Sequence, residues 1–285
     1  MTFTLCLNSS NVLQGTSNSS FRFNFANGGF TAKDSEICIS TLTMPYSIFN
    51  ITSRYNNNNF VIFFPKTVGY ASAPVTLPNG FYSVTDLQNY IQQVCITNGF
   101  YLIDSAGNYV FYTYLTYSPT YYAVQLVQTL VPTSLPAGWT QPSTWQGYSA
   151  ISYTPSLYLD PANSIAPIIG FDPTPVYFPV FNTISNYSTL STLTPQGSTV
   201  NSLVARCSLV NNSSSVPTDI MDGFPINATF GSNIIFDPSF EHFVDVRDGT
   251  YQSLTFTIVD QNLNQIVAQD PNVSIVLMIR SKNPL

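Results

Sequence analysis

The sequence has few charged residues. Lysine, arginine, aspartate and glutamate make up only 8% of the 285 residues, against roughly 25% in an ordinary soluble domain. The apolar share is 44%, so uncharged polar residues and tyrosine take the place of the missing charges. A surface of this kind forms hydrogen bonds and stacks rings, and it loses little ionic hydration when it docks. The composition therefore predicts a protein that works packed against other protein.

Histidine is rarer still, since His242 is the single copy. One histidine excludes metal sites built from several imidazoles, and neither a G-x-S-x-G elbow nor a glycine-rich phosphate loop is present. Carboxylates gather near the C-terminus, where turn formation explains them better than a glycosidase pair or a calcium site. They are Asp237, Glu241, Asp245, Asp248, Asp260 and Asp270. We predict no catalytic residue, no cofactor and no metal, and a glycan hydrolase is the least favoured interpretation.

Other absences narrow the class further. The net charge of −6 removes the non-specific attraction to a nucleic-acid backbone. The chain contains no uninterrupted apolar run of about 18 residues, so we expect no membrane span. The N-terminus lacks the pattern of a signal peptide. The four widely spaced cysteines then favour buried thiols over a disulfide framework; they are Cys6, Cys38, Cys95 and Cys207.

The residues that are present alternate with a period of two, which is typical of half-buried strands. Two runs separated by Ser118-Pro119-Thr120 predict a hairpin. Two further alternating runs follow each other near the C-terminus, and we expect them in one antiparallel sheet. The predicted strands cover residues 21–25, 36–44, 60–64, 109–117, 121–131, 254–258 and 273–279.

One helix is predicted at about residues 83–97. Ser83 and Asp86 form a capping box, and Asn98-Gly99 is a stop signal. A second, shorter helix is predicted from Asp160, with Pro161 in its first turn, to Gly170. The apolar stripe of the first helix consists of Val84, Leu87, Tyr90, Ile91, Val94 and Cys95.

No linker divides the chain, so we expect one β-sandwich domain over residues 1–285. Residues 1–14 precede the first strong strand and are interpreted as an arm that reaches toward a neighbouring copy or toward the interior of an assembly. Residues 132–147 and 172–198 are predicted loop insertions. The first loop carries Trp139 and Trp145, which either anchor the loop by packing or contact a ligand or receptor.

Segments spread over much of the chain carry a family resemblance through their order and spacing. They are Pro45–Ile51, Tyr55–Asn58, Val75–Tyr82, Asp86-Leu87, Ile168–Phe171, Leu203–Cys207, Leu254–Asp260 and Asp270–Arg280. Together they resemble the penton-type minor capsid proteins of virophages and polinton-like viruses, in the double-jelly-roll viral lineage that includes the adenoviruses. The two predicted loops lie outside this resemblance.

The resemblance implies an all-β fold, a single jelly roll β-sandwich with one short helix and long loop insertions. It implies a structural virion protein, made and assembled inside the host cell, without catalysis. Five copies would form a homopentamer that closes each five-fold vertex of an icosahedral capsid and docks to trimers of the major capsid protein. A fibre or a host receptor is a further partner of such a vertex. The alternative is a lectin-like or receptor-binding β-sandwich module on a virion or cell surface, which would use Trp139 and Trp145.

Overall fold

The chain folds into two compact units. The computed structural model describes residues 2–26 and 28–282. One unit joins the described residues up to Phe49 to those from Val200, and the other is the continuous stretch Asn50–Thr199. The chain therefore leaves the first unit once and returns to it once. The expectation of one domain over residues 1–285 stays a prediction.

The elements follow in chain order. The first unit opens with β1 (Thr2–Asn8), β2 (Ser20–Asn24), β3 (Phe30–Ala32) and β4 (Ser35–Pro45). The second unit supplies β5 (Asn59–Pro65), β6 (Tyr70–Thr76), α1 (Val84–Asn98), β7 (Leu102–Ile103), β8 (Tyr109–Val110), β9 (Thr113–Ser118), β10 (Ala123–Gln128), β11 (Ser156–Tyr158), α2 (Ala166–Ile169), β12 (Tyr177–Phe178) and β13 (Tyr187–Leu190). The first unit closes with β14 (Ser202–Cys207), β15 (Ile220–Pro225), β16 (Asn233–Phe236), β17 (Val244–Asp245), β18 (Gly249–Tyr251), β19 (Ser253–Asp260) and β20 (Ser274–Ser281).

Strand pairing in the first unit is nested. β1 pairs with β20, β2 with β19, β3 with β18, β4 with both β17 and β16, and β14 with β15, always antiparallel. Successive strands from one end of the chain thus meet successive strands from the other, as in one long hairpin. The hairpin forms two main sheets, ordered β1-β20-β4-β16 and β15-β14-β19-β2. Two sheets with this connectivity define a jelly roll, so the predicted all-β jelly-roll class is confirmed.

The two C-terminal strands lie in different sheets, which corrects the prediction that they share one. β19 pairs with β14 and β2, whereas β20 pairs with β1 and β4. Both strands do bury alternate residues as expected. Period-two alternation determines which side chains face the core, but it does not determine which strand lies next to it in the sheet. The buried rows are Leu254, Phe256 and Ile258 in β19, and Ile275, Leu277 and Ile279 in β20.

A β-bulge explains why both faces of β4 are apolar in sequence. Its pairing with β20 shifts between Val276 and Leu277, which lie opposite Thr41 and Ile39, so that Ser40 is the extra residue. Before the bulge Ile37 and Ile39 are buried, and after it Leu42 and Met44 are. An extra residue on one strand exchanges the faces that its side chains occupy.

The N-terminal segment is a strand of the first unit. Over Thr2–Asn8 it pairs residue by residue with β20, although the sequence analysis assigned residues 1–14 to an arm. Leu5 and Leu7 are buried by this pairing. Their alternation with polar neighbours was a weak strand signal in the sequence. Met1 lies outside the described residues.

The second unit contains its own sheets and its own core. β12-β11-β5-β6 form a four-stranded sheet, β13-β10-β9 a three-stranded one, and β7 pairs with β8. The hairpin predicted around Ser118-Pro119-Thr120 is confirmed, since β9 and β10 pair from Ser118 opposite Ala123. Buried aromatic and aliphatic side chains from the four-stranded sheet and from α1 join in one cluster, which includes Phe60, Phe64, Leu87, Ile91 and Phe100.

The helix α1 begins and ends where its caps dictate. The Ser83 hydroxyl accepts a bond from the Asp86 amide at 3.1 Å, and the Asp86 carboxylate accepts from the Ser83 amide at 2.9 Å. Gly99 closes the helix in a left-handed conformation at φ 71°. A Cβ there would collide with the Thr144 carbonyl, so this position requires glycine. The predicted stripe is confirmed, with Leu87, Ile91 and Cys95 fully buried and Val84, Tyr90 and Val94 packed beside them.

The second helix is shorter than predicted. α2 spans only Ala166–Ile169 and ends at Gly170, as expected. Its predicted start fails because Asp160 accepts a bond from the Ala162 amide, which forms a local turn instead of a helical first turn. Of the two predicted loops, residues 132–147 lack helix and strand, whereas residues 172–198 include β12 and β13.

Candidate interaction surface

Among the described residues no three histidine, cysteine or acidic side chains converge on a metal position. The acidic residues near the C-terminus hold turns and ion pairs. Asp260 accepts from the amides of Asn262 and Asn264, both at 2.8 Å, and Asp245 pairs with Lys282 at 2.6 Å. The exposed His242 lies 3.7 Å from the Asp222 carboxylate. Asp260 therefore holds a turn, as the turn interpretation predicted, whereas Asp245 forms an ion pair.

The four cysteines are free thiols. Cys38, Cys95 and Cys207 are buried, and Cys6 on β1 is exposed. Burial raises the pKa of Cys95 and of Cys207 to about 12. Because the thiolate is the reactive form, these two side chains act as small apolar core residues.

The tryptophans of the first loop pack on the second unit. Trp139 and Trp145 are half-buried against its core cluster. The Trp145 ring lies 5.5 Å from Phe64 and 5.2 Å from Tyr148, measured between ring centroids. These contacts are those of a packing anchor. A ligand or receptor contact through either tryptophan stays a prediction.

A cluster of rings covers the side of the four-stranded sheet that faces away from the core. Phe63 alternates with the buried Ile62 and Phe64 along β5, so its side chain points to the opposite face. We call this cluster the aromatic face. It consists of Phe63, Tyr70, Tyr158, Tyr177 and Phe181.

Phe181 is the centre of the aromatic face. Its ring centroid lies 4.6 Å from that of Tyr70, 4.7 Å from Tyr177 and 5.1 Å from Phe63. The Asn182 amide donates to the Tyr70 hydroxyl at 2.8 Å. Burial raises the pKa of Tyr70, so its hydroxyl stays protonated at physiological pH. The result is an aromatic surface whose rings contact one another and which the chain itself only partly covers.

The β9–β10 hairpin carries a second aromatic feature at its turn, which we call the tyrosine tip: Tyr117, Tyr121 and Tyr122. Tyr121 and Tyr122 are 70% and 62% exposed. Tyr117 and Tyr122 contact edge to face, with ring centroids 6.2 Å apart. Tyr122 has a left-handed backbone at φ 48°, a conformation that glycine or asparagine adopts at lower cost. A bulky ring at this position therefore carries a cost in backbone free energy.

Sequence reasoning missed both features. It counted 18 tyrosines without seeing that pairing of β5, β6, β11 and β12 would collect distant rings on one face. One signal for the aromatic face was present in the sequence of β5. Its odd-numbered residues Val61 and Phe63 are apolar, and so are its even-numbered residues Phe60, Ile62 and Phe64, so both faces of the strand are apolar.

None of the helices in the described part of the chain has the length and the apolar character that a membrane span requires.

The fold of the first unit defines a class, that of jelly-roll proteins, to which viral capsid proteins, lectins and cupins belong. Two solved structures are similar to the chain over nearly its whole length. The crystal structure of the mavirus penton protein matches at a TM-score of 0.43 and 10% identity, with 99% of each chain covered. The cryo-electron-microscopy structure of the Sputnik virophage matches at a TM-score of 0.43 and 11% identity, with 99% of this chain and 98% of that chain covered.

One of these matches is a penton protein and the other is from a virophage, as the sequence resemblance predicted. No protein-family model matches the chain, and no curated protein matches it.

Proposed function

We propose that the chain is a structural virion protein, a minor capsid protein that closes the five-fold vertices of an icosahedral capsid as a homopentamer. The observation that carries the proposal is an uncharged, ring-rich surface in a chain that contains a jelly roll. Jelly rolls are a recurrent capsid architecture. The sequence resemblance to vertex proteins gives the same answer.

The chemistry of the second unit suits permanent contacts. Its 150 residues contain only six charged side chains, namely Arg54, Lys66, Asp86, Asp104, Asp160 and Asp172. Interface cores are depleted in charge and enriched in tyrosine, tryptophan and phenylalanine. The aromatic face and the tyrosine tip have this composition, and their rings are already ordered by contacts with each other. Docking them therefore costs little side-chain entropy.

Ring closure sets a further requirement. A five-membered ring uses head-to-tail contacts, so each copy needs two different surfaces that match. The aromatic face, on the four-stranded sheet, and the tyrosine tip, on the β9–β10 hairpin, are two such distinct surfaces. We propose that at least one of them binds the neighbouring copy, and that trimers of the major capsid protein are the partner around the ring.

Native mass spectrometry of the purified protein over a concentration series tests the pentamer directly. We expect a five-chain species that grows with concentration. A chain that stays monomeric at high concentration and is absent from capsid vertices would overturn the proposal. The localisation readout is cryo-electron microscopy of particles assembled with and without this chain.

Substitutions separate a specific contact from general stickiness. The double variant Tyr121→Ser, Tyr122→Ser removes the most exposed rings of the tyrosine tip and should lower the five-chain fraction. The matched control is Val216→Ser, Phe240→Ser in the first unit, where the apolar side chains are 92% and 89% exposed. Equal loss in both double variants would contradict a contact localised at the tyrosine tip.

The lectin-like alternative shares the jelly-roll class, since lectin domains use it too. The two functions predict different behaviour of the purified protein. A vertex protein forms a closed ring of five copies, whereas a lectin-like module binds its ligand as a single copy.

A further inference from the structure

A pocket of about 430 Å³ lies on the second unit, where β5, β6 and the segment after β11 meet. This volume falls within the range of small-molecule sites, about 300–1,000 Å³. The pocket is lined by apolar side chains of both strands together with a group of polar ones. The pocket lies beside the aromatic face, because Tyr158 lines the pocket and is also part of the aromatic face.

The apolar part of the pocket is built around a ring. Tyr158 contributes a half-buried aromatic side chain, flanked by Val61 and Pro74. Tyr158 pairs with Val61 across β11 and β5, and Val61 pairs with Pro74 across β5 and β6. Three neighbouring strands thus set these side chains side by side. Tyr177 packs on Tyr158 at 5.1 Å between ring centroids and holds the ring in place.

The polar part of the pocket offers both acceptors and donors. Asp160 accepts from the Ala162 amide at 2.8 Å, and its carboxylate also forms a side-chain hydrogen bond with the Tyr158 hydroxyl. A carboxylate has room for about four bonds, so acceptor capacity remains. The Asn163 side-chain oxygen accepts from the Asn58 amide at 3.4 Å. No described residue accepts from the Asn163 amide nitrogen, which leaves its two donors for a ligand, beside the hydroxyl of Thr76.

This combination fits a hydroxyl-rich ring. A pyranose presents C–H groups on one face, which suit the electron-rich face of an aromatic ring, and hydroxyls around its rim that both donate and accept. We propose that the pocket binds a neutral pyranose unit of a glycan, with Tyr158 under the sugar face and Asp160 and Asn163 on its hydroxyls. Asp160 is the single charged group in the lining. It repels acidic sugars, and the lining has no basic residue that could bind a phosphate.

The experiment is a saturation-transfer NMR titration of the full-length protein. The probes are the methyl glycosides of glucose, galactose, mannose and N-acetylglucosamine, with N-acetylneuraminic acid as the acidic comparison. We expect saturable transfer to at least one neutral glycoside and none to the acidic sugar. Failure of all four neutral probes to bind would overturn the proposal, as would a preference for the acidic one.

Two pairs of variants locate the binding. Asp160→Asn and Tyr158→Leu should each weaken binding about tenfold, the effect of losing one good contact. Asp172→Asn is the control for Asp160→Asn. Asp172 forms the same kind of local bond, since it accepts from the backbone amide two residues further along, that of Thr174, at 3.0 Å. Tyr187→Leu is the control for Tyr158→Leu, since Tyr187 is a half-buried tyrosine on the edge strand β13 that does not line the pocket. Thermal unfolding near wild type is required of each variant.

Unchanged binding in both Asp160→Asn and Tyr158→Leu would place any sugar elsewhere and overturn the assignment. If Tyr158→Leu misfolds, Asp160→Asn decides alone, because it keeps shape and most hydrogen bonds. The inference does not rest on the vertex role. A single copy that binds the sugar would support it even if no five-chain species formed.

Discussion

The two compact units differ in the chemistry that their side chains bring to the surface. Six of the 22 charged residues fall in residues 50–199, which leaves sixteen for the remaining 135 residues. Sixteen of the 18 tyrosines and both tryptophans fall in the same stretch, 50–199. Ion pairs follow this division, since those found among the described residues all lie in the first unit.

The difference teaches how one chain can separate two tasks. The jelly-roll unit closes its strand ends with charged pairs such as Arg280–Glu36 and Lys282–Asp245, which keep a surface hydrated. The inserted unit offers ordered rings with almost no charge, which suits it for contact with protein or sugar. Both binding functions that we propose therefore involve residues 50–199.

The largest expected effect tests whether the inserted unit depends on its own core. Leu87→Asp puts a charge at a fully buried helix position and should cost at least about 3 kcal/mol of unfolding free energy. Asn89→Asp, an exposed site on the same helix, should change stability little. Urea unfolding measures both. A near-wild-type Leu87→Asp protein would show that the helix does not support this core.

A smaller effect tests the close packing of the inserted unit. Gly99→Ala combines a left-handed backbone with a collision against the Thr144 carbonyl, and we expect a loss of roughly 2–3 kcal/mol. Gly107→Ala is the matched control, because Gly107 is also left-handed at φ 87° but has open space around it. It should lose only about 1 kcal/mol. Equal losses in thermal unfolding would contradict the packing argument.

A third effect tests the charged unit. Arg206 donates to both carboxylate oxygens of Asp219, at 3.1 and 2.8 Å, in a half-buried pair. Asp219→Asn should cost about 1 kcal/mol, and the difference from wild type should shrink in high salt. Asp172→Asn in the inserted unit breaks no ion pair and should show neither change. A salt response of the same size in both variants would remove this contrast between units.

The smallest effect is a pH dependence at the N-terminus of α1. Hydrogen bonds from the Ser83 hydroxyl and then the Ser83 amide lower the pKa of Asp86 below its ordinary value of 3.8. A lowered folded-state pKa gives stability that is fully present above 3.8 and is lost as pH falls through the folded value. Asp86→Asn should therefore be less stable than wild type at neutral pH, by under about 1 kcal/mol.

The stability gap between wild type and Asp86→Asn should narrow below pH 3.8, since protonation removes the charge that the substitution also removes. Unfolding curves at several pH values measure this gap. A gap that widens on acidification would contradict the sign of the pKa shift.

Local elements were predictable where their signals were local. The capping box of Ser83 and Asp86, the stop at Gly99 and the alternation of Leu254, Phe256 and Ile258 gave a correct helix and a correct strand. The division into units was not predicted, although the tyrosine-rich and charge-poor composition of residues 50–199 was a signal for it. The chain crosses between the units in two connections, between Pro45 and Asn59 and between Leu190 and Ser202.

By itself the sequence determined the β class, the capped helix, the scarcity of charge and the absence of recognisable catalytic motifs. These follow from residue type and from spacing along a few turns or strand positions. The nested strand pairs, the separation of β19 from β20, the aromatic face and the pocket at Tyr158 and Asp160 were decided only by the tertiary structure. The physical reason is that local alternation determines the face of the sheet on which a side chain lies, whereas the pairing of strands depends on residues far apart in the chain.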